Sequence, residues 1–391
     1  MCFSGSGNIL NPVYTLWEEY SFVVQGYAIL DFMKLALKIA PQRSTQYTKL
    51  ATALATPELL ASPLRSAIDH VERITMAGHD YLLVSFRPEA ERLDAHFVRS
   101  VLGSLGATSE AFEYFERLGD MEGPFLRPFS TLYTPFIPPE MAEARRYKGK
   151  TNELFTKVLL NVAVFAGRYA NQYNERLRIL DPLAGGGTTL FTALEHGYDA
   201  FGIELNRQDI ETTIGYTRQF LTGEQIPFKE IDERRKTGRR YQFEIGKKGT
   251  RLSKAHADEA RYFVLAQGDS KEALVHMREV PGGPHMHAVV ADLPYNIQHS
   301  SRYVTGETQR FGDVSALLQA VLPAWEKILL PGGTLALAWN ATRVERSILV
   351  DLVERHTRLQ VLNEPPYSDF AHGVDRVVKR RDILVAVAPT E

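Results

Sequence analysis

Two short stretches carry the residue types best suited to chemistry. The first, "ILDPLAGGGTTLFTALEHGYDAFGIELN" (179–206), runs from an apolar segment through Gly185, Gly186 and Gly187 into a helical pattern and closes on Glu204. A glycine turn after a strand and before a helix lets the backbone approach a ligand and take φ > 0, which is what a nucleotide-binding turn requires. A triphosphate loop would place a lysine and then Ser or Thr after the last glycine. Here Thr188 and Thr189 follow, so triphosphate binding is disfavoured. Glu204 ends the next strand, where an acid that binds ribose hydroxyls belongs, so a dinucleotide or another nucleoside fits better than a bare phosphate. A tight structural turn between strand and helix is the plain alternative. The second stretch, "ADLPYNIQ" (291–298), sets Asp292 beside Leu293, Pro294 and Tyr295: an acid, a proline-restrained backbone and an aromatic ring.

These residues can act together only if the elements bring them together. The chain has 391 residues, of which 44% are hydrophobic and 24% charged, a globular composition long enough for two domains. One cysteine, Cys2, excludes an intrachain disulfide and offers no metal-ligand spacing, so a reducing, cytoplasmic compartment is expected and no metal. No basic leader precedes a long apolar run, and 21–40 is interrupted by Gln25, Asp31, Lys34 and Lys38, so no membrane segment is expected. A net charge of −2 gives no global pull toward nucleic acid, and such affinity must come from local patches.

The pattern changes near residue 124. From Leu16 to about Arg73 apolar residues recur at helical spacing, with Pro41, Pro57 and Pro63 as expected breaks; "DYLLVSF" (80–86) reads as a strand and 94–118 as a helix. This predicts a mostly helical α+β N-terminal domain over 1–122. The prolines and aromatics of 123–144 predict an extended connector. From 145 to 391, "RLRILDP", "YDAFGIEL", "YFVLAQGD", "HAVVADLPY" and "TLALAWN" alternate with helical segments, and "LQVLNE" and "DILVAVA" follow. Such alternation implies α/β architecture: a parallel sheet with helices on both faces, ended by an antiparallel hairpin, with ligands at the carboxyl ends of the strands.

With those placements, "DPLAGGGTT" resembles the first motif of S-adenosylmethionine-dependent methyltransferases, whose Rossmann-like sheet has seven strands. The resemblance implies that Asp181, Pro182, Ala184, Gly185, Gly187 and Thr188 surround the methionine end of S-adenosyl-L-methionine and that Glu204 takes the ribose. "DLPY" resembles the catalytic motif of amino-methyltransferases acting on nucleic-acid bases. An exocyclic amine is a poor nucleophile because its lone pair is delocalised into the ring. The family's remedy is to accept the two N–H hydrogens with the first side chain and the second carbonyl, here Asp292 and Leu293, while Pro294 restrains the backbone and Tyr295 stacks on the base. "NEPPY" (363–367) carries the commoner Pro-Pro-Tyr but has Glu364 in place of the acid and follows a late strand, so it reads as a loop. Asp269, ending "AQGD", either accepts from the adenine amino group, as in related enzymes, or caps the next helix. Lys150, Thr151 and Asn152 lie in a segment that closes over the methionine end in this family, or Thr151 caps a helix.

The motif order resembles that of RNA-directed amino-methyltransferases and of some DNA ones, and the resemblance, over about 145–388, is closest to the tRNA guanine-N2 and THUMP-associated group. It implies RNA, tRNA before DNA, as partner, with basic patches at about 223–260 and 372–382 as candidate phosphate contacts. The N-terminal region does not align with a THUMP domain and is a candidate for substrate recognition or for docking a protein. The alternatives are adenine-N6 or cytosine-N4 methylation in DNA, a small-molecule or protein amine, and a binding subunit without catalysis.

Overall fold

The computed structural model describes residues 34–41, 45–88, 93–147, 150–235, 238–252, 258–294, 314–374 and 380–391. Tyr295, Gln25 and Asp31 of the sequence analysis lie outside them, as do Arg376 and Lys379 of the second basic patch.

The second half follows the alternation. Strands β6 (Arg178–Asp181), β7 (Asp199–Glu204), β10 (Arg261–Gln267), β11 (Met286–Asp292) and β12 (Leu329–Asn340) pair in parallel in the order β12-β11-β6-β7-β10. Helices α3 (Glu153–Ala166), α4 (Thr188–Glu195), α5 (Arg207–Gly223), α6 (Val314–Ile328) and α7 (Arg346–His356) pack against the sheet. At one edge β13 (Gln360–Leu362) and β14 (Arg381–Val387) form the expected antiparallel hairpin, with β14 inserted between β13 and β12. Each of these strands falls on a segment read as a strand in the sequence, but the sheet is not the seven-stranded one expected. Two more, β8 (Phe228–Arg235) and β9 (Gly238–Ile245), come from the basic insertion, which pairs antiparallel onto β10 and widens the sheet to nine strands.

Both faces of this sheet are covered, as a parallel sheet requires. Successive residues point to opposite faces, so Ile179 and Ala288 join one core while Leu180 and Val289 join another containing Trp325 and Trp339. Segments buried on both faces read as unbroken apolar runs, which is why the strands were visible in the sequence.

The first half departs from expectation. Five strands, β1 (Lys34–Ile39), β2 (Ile68–Met76), β3 (His79–Phe86), β4 (Thr108–Leu118) and β5 (Met121–Phe129), form an antiparallel sheet in the order β2-β3-β1-β4-β5, with helices α1 (Thr45–Ala61) and α2 (Ala95–Ser104). Among its described residues the region is therefore α+β but not mostly helical. "KLALKI" is a central strand: a short apolar run has the same appearance in a buried helix, and pairing with both β3 and β4 decides the matter. The helix expected over 94–118 ends at Ser104, and β4 follows. The start of the connector is β5, an edge strand where Pro124 and Pro128 are tolerated because one side needs no donors. Pro57 lies inside α1 and does not end it.

The halves share a core. Leu54 and Leu59 of α1 belong to the same buried cluster as Val158 and Leu159 of α3 and Ile179 of β6. Within it Glu58, fully buried, accepts hydrogen bonds from the Gly106 and Ala107 amides and from Asn161 Nδ2, each at 2.8 Å. Burial pushes its pKa up, opposed by these donors. Among the described residues no helix is long and apolar enough to cross a membrane.

Candidate active site

Because β6, β7, β10 and β11 are parallel, their last residues share one rim. Asp181 ends β6, and the chain turns through Pro182 to Gly187 into α4. Gly185 and Gly187 have φ of 46° and 85°, the left-handed region that glycine enters without a steric penalty. The turn is tied across the sheet by Ala184 N to Ile203 O at 3.0 Å, and closed by Gly187 N to Ala184 O at 2.7 Å. Gly202 of β7 lies beneath it, where a Cβ would stand 3.0 Å from that of Ala184.

Asp181, Glu204 and Asp292 all reach this rim. Asp181 is buried and accepts from Leu183 N at 2.9 Å; burial above all, with the nearby Asp292 and Glu204 carboxylates, pushes its pKa up to about 7. Glu204 grips main chain on both sides, Oε2 accepting from Gly185 N and Oε1 from Asn206 N, each at 2.7 Å. Its pKa is raised by burial and held back by those amides. Asp292 ends β11, and Leu293 is anchored through its N–H to Ala338 O at 2.8 Å. One Asp292 oxygen, Oδ2, accepts from the Thr151 hydroxyl; the other, Oδ1, forms an ion pair with Arg381 Nη2.

A segment ahead of α3 covers the turn. The Tyr147 ring lies over Gly186 so closely that a Cβ there would collide with it, and its hydroxyl is 2.5 Å from Thr188 Oγ1. Arg145 donates to Gly186 O and, at 3.0 Å, to Thr213 Oγ1, with its guanidinium 5.1 Å from the Tyr147 ring centre and 5.3 Å from that of Tyr216. Asn152 is the cap of α3, accepting from Phe155 N at 3.1 Å. Thr151 is therefore not the cap, and its hydroxyl is left for Asp292.

These parts enclose a cavity of about 220 Å³. Of the residues singled out in the sequence, Thr151, Asp181, Ala184, Gly185, Gly186, Thr188, Asp292, Leu293 and Pro294 line it together. Pro182, Gly187, Glu204 and Asp269 do not. Gly187 serves as the cap position of α4, and Asp269 accepts from Lys271 N at 3.0 Å, the capping alternative. Tyr147, Thr189 and Asp209 line the cavity without having been singled out. Tyr147 stands just ahead of Lys150, Thr151 and Asn152, the segment read as closing over the methionine end, but no spacing rule separates it from its neighbours. Arg381 falls in the 372–382 patch read as a phosphate contact, yet it is buried and paired with Asp292, 89 positions away in the chain, a partnership that no local signal marks.

No protein-family model matches the sequence, and neither does any curated protein. Among solved structures, the chain is similar to TrmN from Thermus thermophilus (14% identity, 96% of each chain covered, TM-score 0.34). It is also similar to an RNA methyltransferase from Salinibacter ruber in complex with S-adenosyl-L-homocysteine (12%, 62% of this chain and 94% of that one, TM-score 0.30). A methyltransferase from Pyrococcus furiosus gives 12%, 62% and 88%, with a TM-score of 0.32. Likeness at these scores carries no argument about what the chain does.

Proposed function

We propose that the chain is an S-adenosylmethionine-dependent methyltransferase that modifies an exocyclic amine of a nucleic-acid base. One observation carries the reading: the glycine turn after Asp181 and the tripeptide Asp292-Leu293-Pro294, 111 positions further on, line one cavity. Either motif alone has a bland explanation; their meeting at one rim does not follow from chance.

The residues present suit the amino-acid end of the cofactor. The glycine turn leaves no room for side chains under Tyr147, and Asp181, Thr188 and Thr189 supply polar groups around it. A volume of about 220 Å³ is below the ~300–1,000 Å³ of pockets that enclose a whole ligand, so this cavity suits the methionine portion and the incoming amine. The cofactor supplies a methyl group on a positively charged sulfur. The chain's own contribution is placement. Asp292 and the Leu293 carbonyl accept the amine's hydrogens as charge develops on nitrogen, and the restrained backbone at Pro294 keeps those acceptors in register. Glu204 holds the turn's amide, and in this reading also faces the ribose.

A nucleic-acid substrate is supported by a second cavity, of about 430 Å³, on the same rim. Arg207, Arg234, Arg235, Arg239, Tyr241 and Gln267 line it, and Gln267 pairs in register with Glu204. Arg207, Arg235 and Arg239 have acidic partners in Glu211, Glu233 and Asp232, while Arg234 stands exposed. Surface pairs of this kind are weak, about 0–1 kcal/mol, so phosphates can compete for the guanidinium groups. Guanine N2 in tRNA is the finer reading, resting on the resemblance of the Asp292 motif. Purified protein, labelled S-adenosylmethionine and separate pools of tRNA, ribosomal RNA and DNA test it through nucleoside analysis. Label in N2-methylguanosine is expected. Label in N6-methyladenine would move the assignment, and label in no nucleic acid would reject it.

A further inference from the structure

Asp292 is held from a strand that takes no part in either motif. β14 runs antiparallel to β12, so its first residue, Arg381, lies beside Asn340 at the rim where β11 and β12 end. β14 and β11 are separated by β12, a span of about 10 Å at the usual ~4.8 Å between strands. Arg381 crosses it over the end of β12 and meets Asp292 Oδ1 through Nη2.

Its path is tightly constrained. The guanidinium centre is 3.8 Å from the Phe155 ring centre, so one face is stacked on α3. Main-chain bonds between His372 and Arg381, N to O at 2.9 and 2.8 Å, fix the strand's start. The His372 ring, 5.3 Å from Phe155, is kept neutral by burial, which pushes its pKa down to about 4, so no second cation arises there. The side chains of Arg381 and Asp292 are only 6% and 19% exposed. A buried pair of this kind is weak support for stability, because desolvation offsets the attraction; what it does provide is a defined geometry.

We infer that Arg381 is the positioning residue for Asp292, an inference that rests on the reading of Asp292 as acceptor of the amine's hydrogens. Arg381 fixes one carboxylate oxygen and Thr151 the other. With both oxygens held in this way, the orientation of the carboxylate at the cavity wall is set by two side chains outside either motif. Arginine suits this better than lysine because its planar head can stack on Phe155 and donate in one fixed direction.

The test compares Arg381→Gln, Arg381→Lys, Asp292→Asn and the Arg381→Gln/Asp292→Asn double variant. Each is assayed with labelled S-adenosylmethionine and the nucleic-acid pool that accepts label, with cofactor affinity from calorimetry and melting followed in parallel. Arg381→Gln should lower kcat on the order of 10- to 100-fold with KM and cofactor affinity within about threefold, the signature of lost orientation. Arg381→Lys should recover part of that loss. In the Asp292→Asn background the same change should alter the residual rate less than about threefold, because Arg381 acts through Asp292. An equal drop in both backgrounds, a change confined to KM, or wild-type turnover in a folded Arg381→Gln protein would overturn the inference. If that variant does not fold, Arg381→Lys carries the test: a fall in kcat at constant KM supports the inference, and unchanged kcat rejects it. Wild-type turnover in Asp292→Asn would reject the methyltransferase acceptor itself, an outcome distinct from an inactive Asp292→Asn beside a normal Arg381→Gln.

Discussion

The two sheets solve different problems. The sheet of β6 to β14 is covered on both faces, and its parallel strands gather their last residues at one rim. The sheet of β1 to β5 is antiparallel and leaves much of β2, β4 and β5 exposed, including Leu118, Met121 and Leu126. Every acid of the candidate site comes from the first sheet or the turn and helix after it. The second sheet meets that machinery through α1 and α3, where Glu58 ties the 106–107 main chain to Asn161. A division of labour follows: changes at the rim should alter turnover, and changes at the α1–α3 contact should alter stability.

The sharpest way to break that division is Asp292→Ala. Loss of a placed acceptor should cost about 10²- to 10³-fold in kcat, with cofactor affinity nearly unchanged by calorimetry. Normal turnover would remove the rim from the chemistry. Next in size is Glu58→Ala, which removes the side-chain acceptor of the Gly106 and Ala107 amides and one of the two acceptors of Asn161 Nδ2, and should lower stability by about 3 kcal/mol in denaturant unfolding. The kcat of the remaining folded protein should stay within about threefold, and a larger loss would mean that the N-terminal module takes part in catalysis.

The pH dependence offers a finer test. Asp181 is raised by burial from 3.8 to about 7, so its contribution to stability is complete below about pH 4 and is lost as the pH rises through 7. At about 1.4 kcal/mol per pH unit the loss is no more than about 4 kcal/mol, and Asp181→Asn should flatten this part of the stability curve. Glu58, also raised by burial, acts in the same direction. An unchanged curve in Asp181→Asn would show that the carboxyl under the glycine turn does not titrate in this range. Smallest should be Arg234→Gln: tRNA affinity falling a few-fold, with the slope of log affinity against log salt reduced by about 1 in filter binding. No change in slope would free the insertion from phosphate contact.

The same contrast explains what could be read from the chain. Apolar runs such as "HAVVAD" are buried on both faces, so composition alone marked them as strands. Across β4 and β5 more than half the residues are exposed, their pairing is interrupted by a bulge, and prolines occupy an edge; the pattern there resembles helix or connector. Asp269 illustrates a local ambiguity: capping and ligand binding demand the same residue at the same place, and in the structure its carboxylate caps the turn through Lys271 N.

Sequence by itself determined the glycine turn, the acids that end β6, β7 and β11, and the alternation that sends their ends to one rim, since these depend on local sterics and periodicity. Tertiary structure decided the rest. The addition of β8 and β9 to the sheet, the lie of Tyr147 on Gly186, the release of Thr151 by the Asn152 cap and the reach of Arg381 to Asp292 all join residues distant in the chain or choose between equivalent local roles. No short-range rule encodes such contacts, because their energy appears only when separate elements have packed.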